Sequence, residues 1–210
     1  ANFYEEPVVI TRAEGTRVCD MEGREYIDFF GGILTVSLSH CNPDVANAVS
    51  EQIRKLGHTS TLYPTENMVD GAERLARLTP GKLKKSFFTN SGTEADETAV
   101  MLAKIYTGHQ EIIALRHGYS GRSLLSMSLT GHSNYRLVPT QIAGIKHAPA
   151  PYCYRCPFGQ KPESCGMECA KDLERAILHE GPSTVAAFIG EPISAASGIH
   201  IPHPEYWPTI

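Results

Sequence analysis

Hydrophobic and polar positions divide this chain into stretches of two periods. From Asn42-Pro43-Asp44 onward, Val45, Val49, Ile53 and Leu56 recur three or four residues apart, the apolar stripe of an amphipathic helix. Asn42 supplies a cap, Pro43 suits the first helical position, and Gly57 ends the run. A second stripe, Val69, Ala72, Leu75 and Ala76, follows the capping residue Thr65 and stops at Thr79-Pro80-Gly81. A third begins at Glu94, carries Ala95, Ala99, Leu102, Ala103 and Tyr106, and stops at Gly108. A further helix is expected around Leu173 to Leu178. Short runs at Ser86 to Thr89, Glu111 to Leu115 and Val185 to Ile189 predict buried strands. Nearer the start, Thr16 to Asp20 and Glu25 to Phe29 flank the turn signal Met21-Glu22-Gly23-Arg24, which predicts a hairpin leading into Gly31-Gly32.

Strand, helix and strand from Ser86 to Leu115 form a βαβ unit, so the fold class expected is α/β, with a mostly parallel central sheet flanked by helices. In open parallel sheets, ligands gather beyond the carboxyl ends of the strands. Three loops leave such ends: Asn90 to Thr93, His117 to Ser123, and Gly190-Glu191-Pro192.

Composition narrows the function classes. With 210 residues, 41% hydrophobic and 20% charged, the chain can bury a core of one domain or slightly more. A net charge of -4 implies no nucleic-acid partner. No apolar run approaches the length that spans a bilayer, so no membrane partner is expected. The start, Ala1-Asn2-Phe3-Tyr4-Glu5-Glu6, is not a signal peptide. A cytoplasmic setting is expected, or a mitochondrial one if a targeting sequence was removed.

The candidate chemistry centres on Asn90-Ser91-Gly92-Thr93-Glu94-Ala95. Ser91 and Glu94 stand at capping-box spacing, and the first helical turn presents free backbone N–H groups beside a glycine and two hydroxyls. Helix dipole and unpaired donors then favour a phosphate at one spot, although an ordinary capped helix has the same spacing. Gly118-Tyr119-Ser120-Gly121-Arg122 suggests a hydrolase nucleophile elbow, but that motif needs Gly where Arg122 stands. Cys153-x2-Cys156 and Cys165-x3-Cys169 have spacings that suit zinc or an iron–sulfur cluster, with reduced structural thiols the favoured alternative and disulfides a third. Cys19 and Cys41 read as packing residues. His200 and His203 are not a helical ligand pair, because Pro202 interrupts them.

Taken whole, Asn90-Ser91-Gly92-Thr93-Glu94-Ala95 followed by a helix, then Tyr106-Thr107-Gly108 and His117-Gly118-Tyr119-Ser120-Gly121-Arg122-Ser123, resembles the class III aminotransferases. These are fold type I enzymes that use pyridoxal 5'-phosphate (PLP). The resemblance implies that Ser91, Gly92 and Thr93 hold the cofactor phosphate. It implies that Tyr119 stacks on the pyridine ring, and that Glu191 lies near the substrate, where it can pair with an arginine. The family often has His where this chain has Ser120. Residues 1–58 would begin the small domain and include the first helix; residues 59–210 would begin the large PLP-binding domain. The implied enzyme is a homodimer acting on an amino acid or ω-amine and a 2-oxo acid such as pyruvate or glyoxylate, with Thr59 to Thr65 approaching the partner subunit's cofactor. Similar Cys-Tyr-Arg-Cys-Pro-Phe-Gly insertions occur in relatives of alanine–glyoxylate aminotransferases.

In the family, a lysine carries the cofactor as a Schiff base and an acidic residue holds the pyridine nitrogen protonated. Both lie beyond the position of Glu191, and Lys104, Lys146 and Lys171 stand in none of the required contexts. The expectation is therefore the N-terminal part of a longer enzyme, inactive alone and incomplete at the C-terminal end of its fold. Decarboxylase, epimerase or aminomutase chemistry on the same scaffold stays open, as does a non-catalytic thiol or metal-binding module.

Overall fold

The computed structural model describes residues 4–138 and 141–210. Contacts within it divide the chain into two compact units, 1–86 and 87–210.

The first unit holds a three-stranded antiparallel sheet, β1 (Ile10–Glu14), β2 (Arg17–Asp20) and β3 (Glu25–Ile27), in that order. The expected hairpin is β2–β3, and β1 is an added strand that pairs with β2. Asp20 organises the hairpin turn. It is 3% exposed, and its carboxylate accepts from the Glu22 and Arg24 N–H groups, from Arg24 Nε at 2.7 Å and from the Tyr26 hydroxyl at 2.8 Å. Burial pushes this carboxyl up, but the bonds from Arg24 and Tyr26 prevail and lower it to about 2. The short turn α1 (Gly31–Leu34) has left-handed residues inside it, at Gly32 and Ile33. Then come α2 (Pro43–Lys55) and α3 (Glu66–Leu78). Their caps are the expected ones: Asn42 accepts from the Asp44 and Val45 N–H groups, and Thr65 from Met68 N–H. Cys19 is buried as expected, whereas Cys41 is exposed, with φ of 51°, because the chain turns outward before the Asn42 cap.

The second unit is built on a parallel sheet of order β5-β4-β6, from β4 (Glu111–Leu115), β5 (Ile145–Ala148) and β6 (Val185–Ile189). The helices are α4 (Gly92–Thr107), α5 (Leu124–Leu129), α6 (Glu168–Glu180) and α7 (Tyr206–Thr209). β4 is apolar at consecutive positions because both of its faces are covered. Ile112 and Ala114 pack with Val100 of α4 and Leu129 of α5, while Ile113 packs with Ala148 and with Leu173 of α6. β4 and β6 keep their predicted bounds.

The strand expected at Ser86 to Thr89 does not form. Among the described residues no strand hydrogen-bonds to it, and Phe87 and Phe88 stay exposed, at 74% and 52%. An aromatic run becomes a strand only where a neighbour completes its ladder. The parallel pairs are instead β4 with β5 and β4 with β6, joined across α5 and α6. Among the described residues, no helix is long and apolar enough to cross a membrane.

Candidate functional site at the carboxyl ends of the strands

The N-terminus of α4 realises the capping box. Ser91 Oγ accepts from Glu94 N–H at 3.1 Å, and Glu94 Oε2 reaches back to accept from Asn90 N–H at 2.7 Å. The Gly92 and Thr93 N–H groups have no acceptor among the described residues. A Cβ built on Gly92 would meet nothing within 4 Å, so this end of the helix is open. Ser91→Ala is expected to cost about 1 kcal/mol of stability, the usual worth of a hydroxyl cap, measured by urea unfolding.

The loop after β4 and the start of α5 close on this helix end. Ser126 Oγ donates to the Thr93 carbonyl at 3.3 Å, and Ser123 Oγ bonds Glu97. Gly121, with φ of +131°, passes so near Thr93 that a Cβ there would lie 2.1 Å from Thr93 Oγ1. The Thr93 turn and the turn after Tyr119 are therefore held together by a glycine that nothing larger replaces.

Beyond the ends of β4 and β6 lies a cleft lined by Asp96, Gly118, Tyr119, Ser120, Gly190 and Glu191 among others. Glu191 ties two loops together: Oε1 accepts from Tyr119 N–H at 2.8 Å and Oε2 from Ala195 N–H at 3.1 Å. Ser120 N–H donates to Thr130 Oγ1 at 3.0 Å. The Tyr119 ring meets Tyr135 edge-on, with centroids 5.3 Å apart.

Two of the three predicted loops, those of Tyr119 and Glu191, thus share one cleft, and the Ser91-Gly92-Thr93 turn adjoins it through Gly121 and Ser126. Glu191 has a task beyond the one expected, since both its oxygens take backbone donors. Sequence reasoning passed over Asp96. Burial raises its carboxyl above the usual range; the bond with Ser120 lowers it, and the charge of Glu191 raises it again. Its position one helical turn past Gly92 was the available signal. Among the described residues, no lysine lines the cleft. Lys146 pairs with Glu180 at 3.0 Å and Lys171 with Glu168 at 3.5 Å.

Cys153, Cys156, Cys165 and Cys169 are free thiols, half-buried around one cavity together with His203. Burial first, then neighbouring Cys165, pushes the Cys169 thiol up. Among the described residues, no three His, Cys, Asp or Glu side chains come together in an arrangement that could hold a metal ion.

Comparison with known proteins agrees with this geometry. The family model "Aminotransferase class-III" matches residues 2–210. The chain is 42% identical over 197 residues to alanine–glyoxylate aminotransferase 2 homolog 2, mitochondrial, of Arabidopsis thaliana, covering 94% of this chain and 40% of that protein. It is 32% identical to a leucine/methionine racemase of Thermococcus litoralis, covering 97% of this chain and 47% of the racemase. Among solved structures it resembles an (S)-enantioselective omega-transaminase of Thermomicrobium roseum, with a TM-score of 0.90 and 34% identity over 98% of this chain and 48% of that one. A thermostable omega transaminase mutant from Pseudomonas jessenii gives a TM-score of 0.91 and 32% identity, at the same coverage. The chain thus spans less than half the length of these relatives. The α/β fold with its parallel sheet is that of the matching part of fold type I transaminases. The chain belongs to the class III aminotransferases, a PLP-dependent family.

Proposed function

We propose that this chain forms the phosphate- and ring-holding part of a PLP-dependent aminotransferase, which moves an amino group from an amino acid or ω-amine to a 2-oxo acid. The observation that carries this is the meeting of an open, capped helix N-terminus with an aromatic-lined cleft at the carboxyl ends of parallel strands. The residues present fit the cofactor. The free N–H groups of Gly92 and Thr93, with the Ser91 and Thr93 hydroxyls, suit a phosphate, and Gly92 leaves it room. Tyr119 supplies a flat face for the pyridine ring. Bound PLP supplies an electron sink for the substrate carbon. Glu191 holds the Tyr119 backbone in place, and Asp96 adds a half-buried carboxyl to the cleft.

The lysine that carries the cofactor comes from outside residues 1–210 in this reading, which also takes the active unit as a homodimer in the cytoplasm. Titration of the full-length protein with PLP, followed by borohydride reduction and peptide mapping, tests PLP binding and the place of that lysine. Visible absorbance from bound PLP and a labelled lysine outside these residues are expected. No PLP absorbance, or one specific labelled lysine within 1–210, would overturn the respective point.

Gly92→Ala separates cofactor holding from folding. Nothing within 4 Å meets the added methyl group, so stability is expected to hold within about 0.5 kcal/mol. PLP affinity is expected to fall about tenfold, as the methyl narrows the approach to the N–H groups, equivalent to about 1.4 kcal/mol.

The racemase relative favours a second reading, PLP-dependent epimerisation on the same scaffold. Product analysis with a single enantiomer of an amino acid separates the two: an oxo acid for transfer, the opposite enantiomer for epimerisation.

A further inference from the structure

Residues 191–200 leave β6, turn, and close on themselves through backbone bonds between Ser194 and His200. This segment grips the loop that carries Tyr119 at several separate points. Glu191 Oε1 takes the Tyr119 N–H. Ser197 Oγ donates to the His117 carbonyl at 2.5 Å. The Ala196 carbonyl accepts from the hydroxyl of Tyr135, whose ring lies against Tyr119. The His200 ring meets His117 edge-on, with centroids 5.3 Å apart.

The grip has something to resist. His117 is left-handed, with φ of 69°, a conformation that costs a non-glycine residue on the order of 1 kcal/mol. His200 anchors the other side. It is 7% exposed and stacks on Tyr152 at 3.8 Å, with the rings 11° from parallel. Its Nδ1 is buried and has no hydrogen-bond partner among the described residues. A neutral ring tolerates that surrounding; a cation would leave a charged N–H buried and unpaired.

We propose that His200 is a positioning residue whose neutral ring locks the 191–200 segment against the Tyr119 loop, so that protonation of His200 releases Tyr119 from the cleft. The groups facing it are His117 from the turn after β4, itself beside Arg116, His132 from the turn after α5, Tyr152 after β5, and Glu191 on its own segment. Burial lowers the His200 imidazole below its ordinary value; the Ser197 carbonyl opposes this, His132 adds to it, and Glu191 opposes it. Burial, then His200 and His132, also lower His117. A depressed histidine favours the folded, neutral form. The lock is therefore whole above the unfolded value of 6.5 and weakens as pH falls below it.

The release rests on the proposed role of Tyr119 in holding PLP, so the test has one arm without cofactor. In the full-length protein without PLP, NMR follows the His200 ring and the Tyr119 ring, assigned with His200→Phe and Tyr119→Phe. The two are expected to titrate together, with one midpoint below 6.5. In His200→Phe, which keeps a flat ring on Tyr152, the Tyr119 titration is expected to vanish. Midpoints differing by more than about half a unit, or a Tyr119 titration that persists in His200→Phe, would overturn the proposal. If His200→Phe fails to fold, the wild-type midpoints decide alone, with His200 assigned through its contacts to Tyr152. In the second arm, PLP affinity of the wild type is expected to fall about tenfold between roughly pH 7.5 and 5.5, and less in His200→Phe. Coupled titration without PLP binding would refute the cofactor role and leave the lock standing. Binding that is equally pH-dependent in both proteins would refute the lock.

Discussion

Gly131→Ala is expected to destabilise the protein by about 3 kcal/mol or more. A Cβ at this position would lie 2.3 Å from the Leu115 carbonyl oxygen, 2.6 Å from Arg116 Cα and 2.8 Å from His117 N. All three are backbone atoms at the end of β4, so no rotamer change relieves the clash. The same strand end is held on its other sides by β5, through the Arg116 N–H to the Ala148 carbonyl, and by the Gly131 N–H to the Gly118 carbonyl at 2.9 Å. Relief therefore requires the turn that carries His117 and Tyr119 to move as a whole. For a chain of 210 residues the loss lowers the melting temperature by about 6–12 °C, measured by calorimetry. An alanine variant melting within a degree or two of wild type would show that the turn after α5 is free to shift. Gly92→Ala is the matched control, since its methyl group enters open space.

The contrast between these glycines shows what a one-dimensional pattern carries. Gly92 was legible because its neighbours Ser91 and Glu94 stand at a spacing with a local meaning, and the capping box formed as drawn. The helices at Pro43–Lys55, Glu66–Leu78 and Gly92–Thr107 were legible for the same reason: cap, stripe and stop all lie within one element. β4 and β6 were legible because both faces of β4, and much of β6, meet apolar side chains. Gly131 was not, since its constraint comes from a strand end sixteen residues earlier. β5 was missed because Lys146 and His147 interrupt its apolar run. Lys146 finds Glu180, and His147 Nε2 finds the Leu129 carbonyl, partners that no local pattern reveals.

The run at Ser86 to Thr89 fails in the opposite sense. Its composition is that of a strand, but without a neighbouring ladder it forms none. The candidate site divides likewise. The loops of Tyr119 and Glu191 were found from the ends of predicted strands and the two residues from the family resemblance, and both line one cleft. Asp96, Ser197 and His200 act through contacts spanning up to 95 residues, such as Ser197 with His117 and Asp96 with Glu191, and only the folded chain exhibits them.

Glu191→Ala is expected to cost about 3 kcal/mol and to free the Tyr119 loop, because it removes two hydrogen bonds to a charged acceptor and leaves the Tyr119 and Ala195 N–H groups without partners. Glu191→Gln distinguishes the tie from the charge. Its amide oxygen can accept from one N–H, but its NH2 group then faces the other donor, so about half of the loss should remain. Trp207 is the only tryptophan in the 210 residues, and its Nε1 donates to the Pro192 carbonyl at 3.2 Å, next to Glu191. Fluorescence-monitored urea unfolding therefore reads the tie directly, in a protein whose other tryptophans, if any, are replaced by Phe. The expected order of midpoints is wild type, then Gln, then Ala. If Glu191 instead served only to meet an arginine in the cleft, the Gln and Ala variants would unfold at the wild-type midpoint. Under the proposed function the order matters because the Tyr119 N–H is one of the bonds that fixes where its ring sits, and a ring free to swing away from the cleft would offer no fixed face to a planar cofactor.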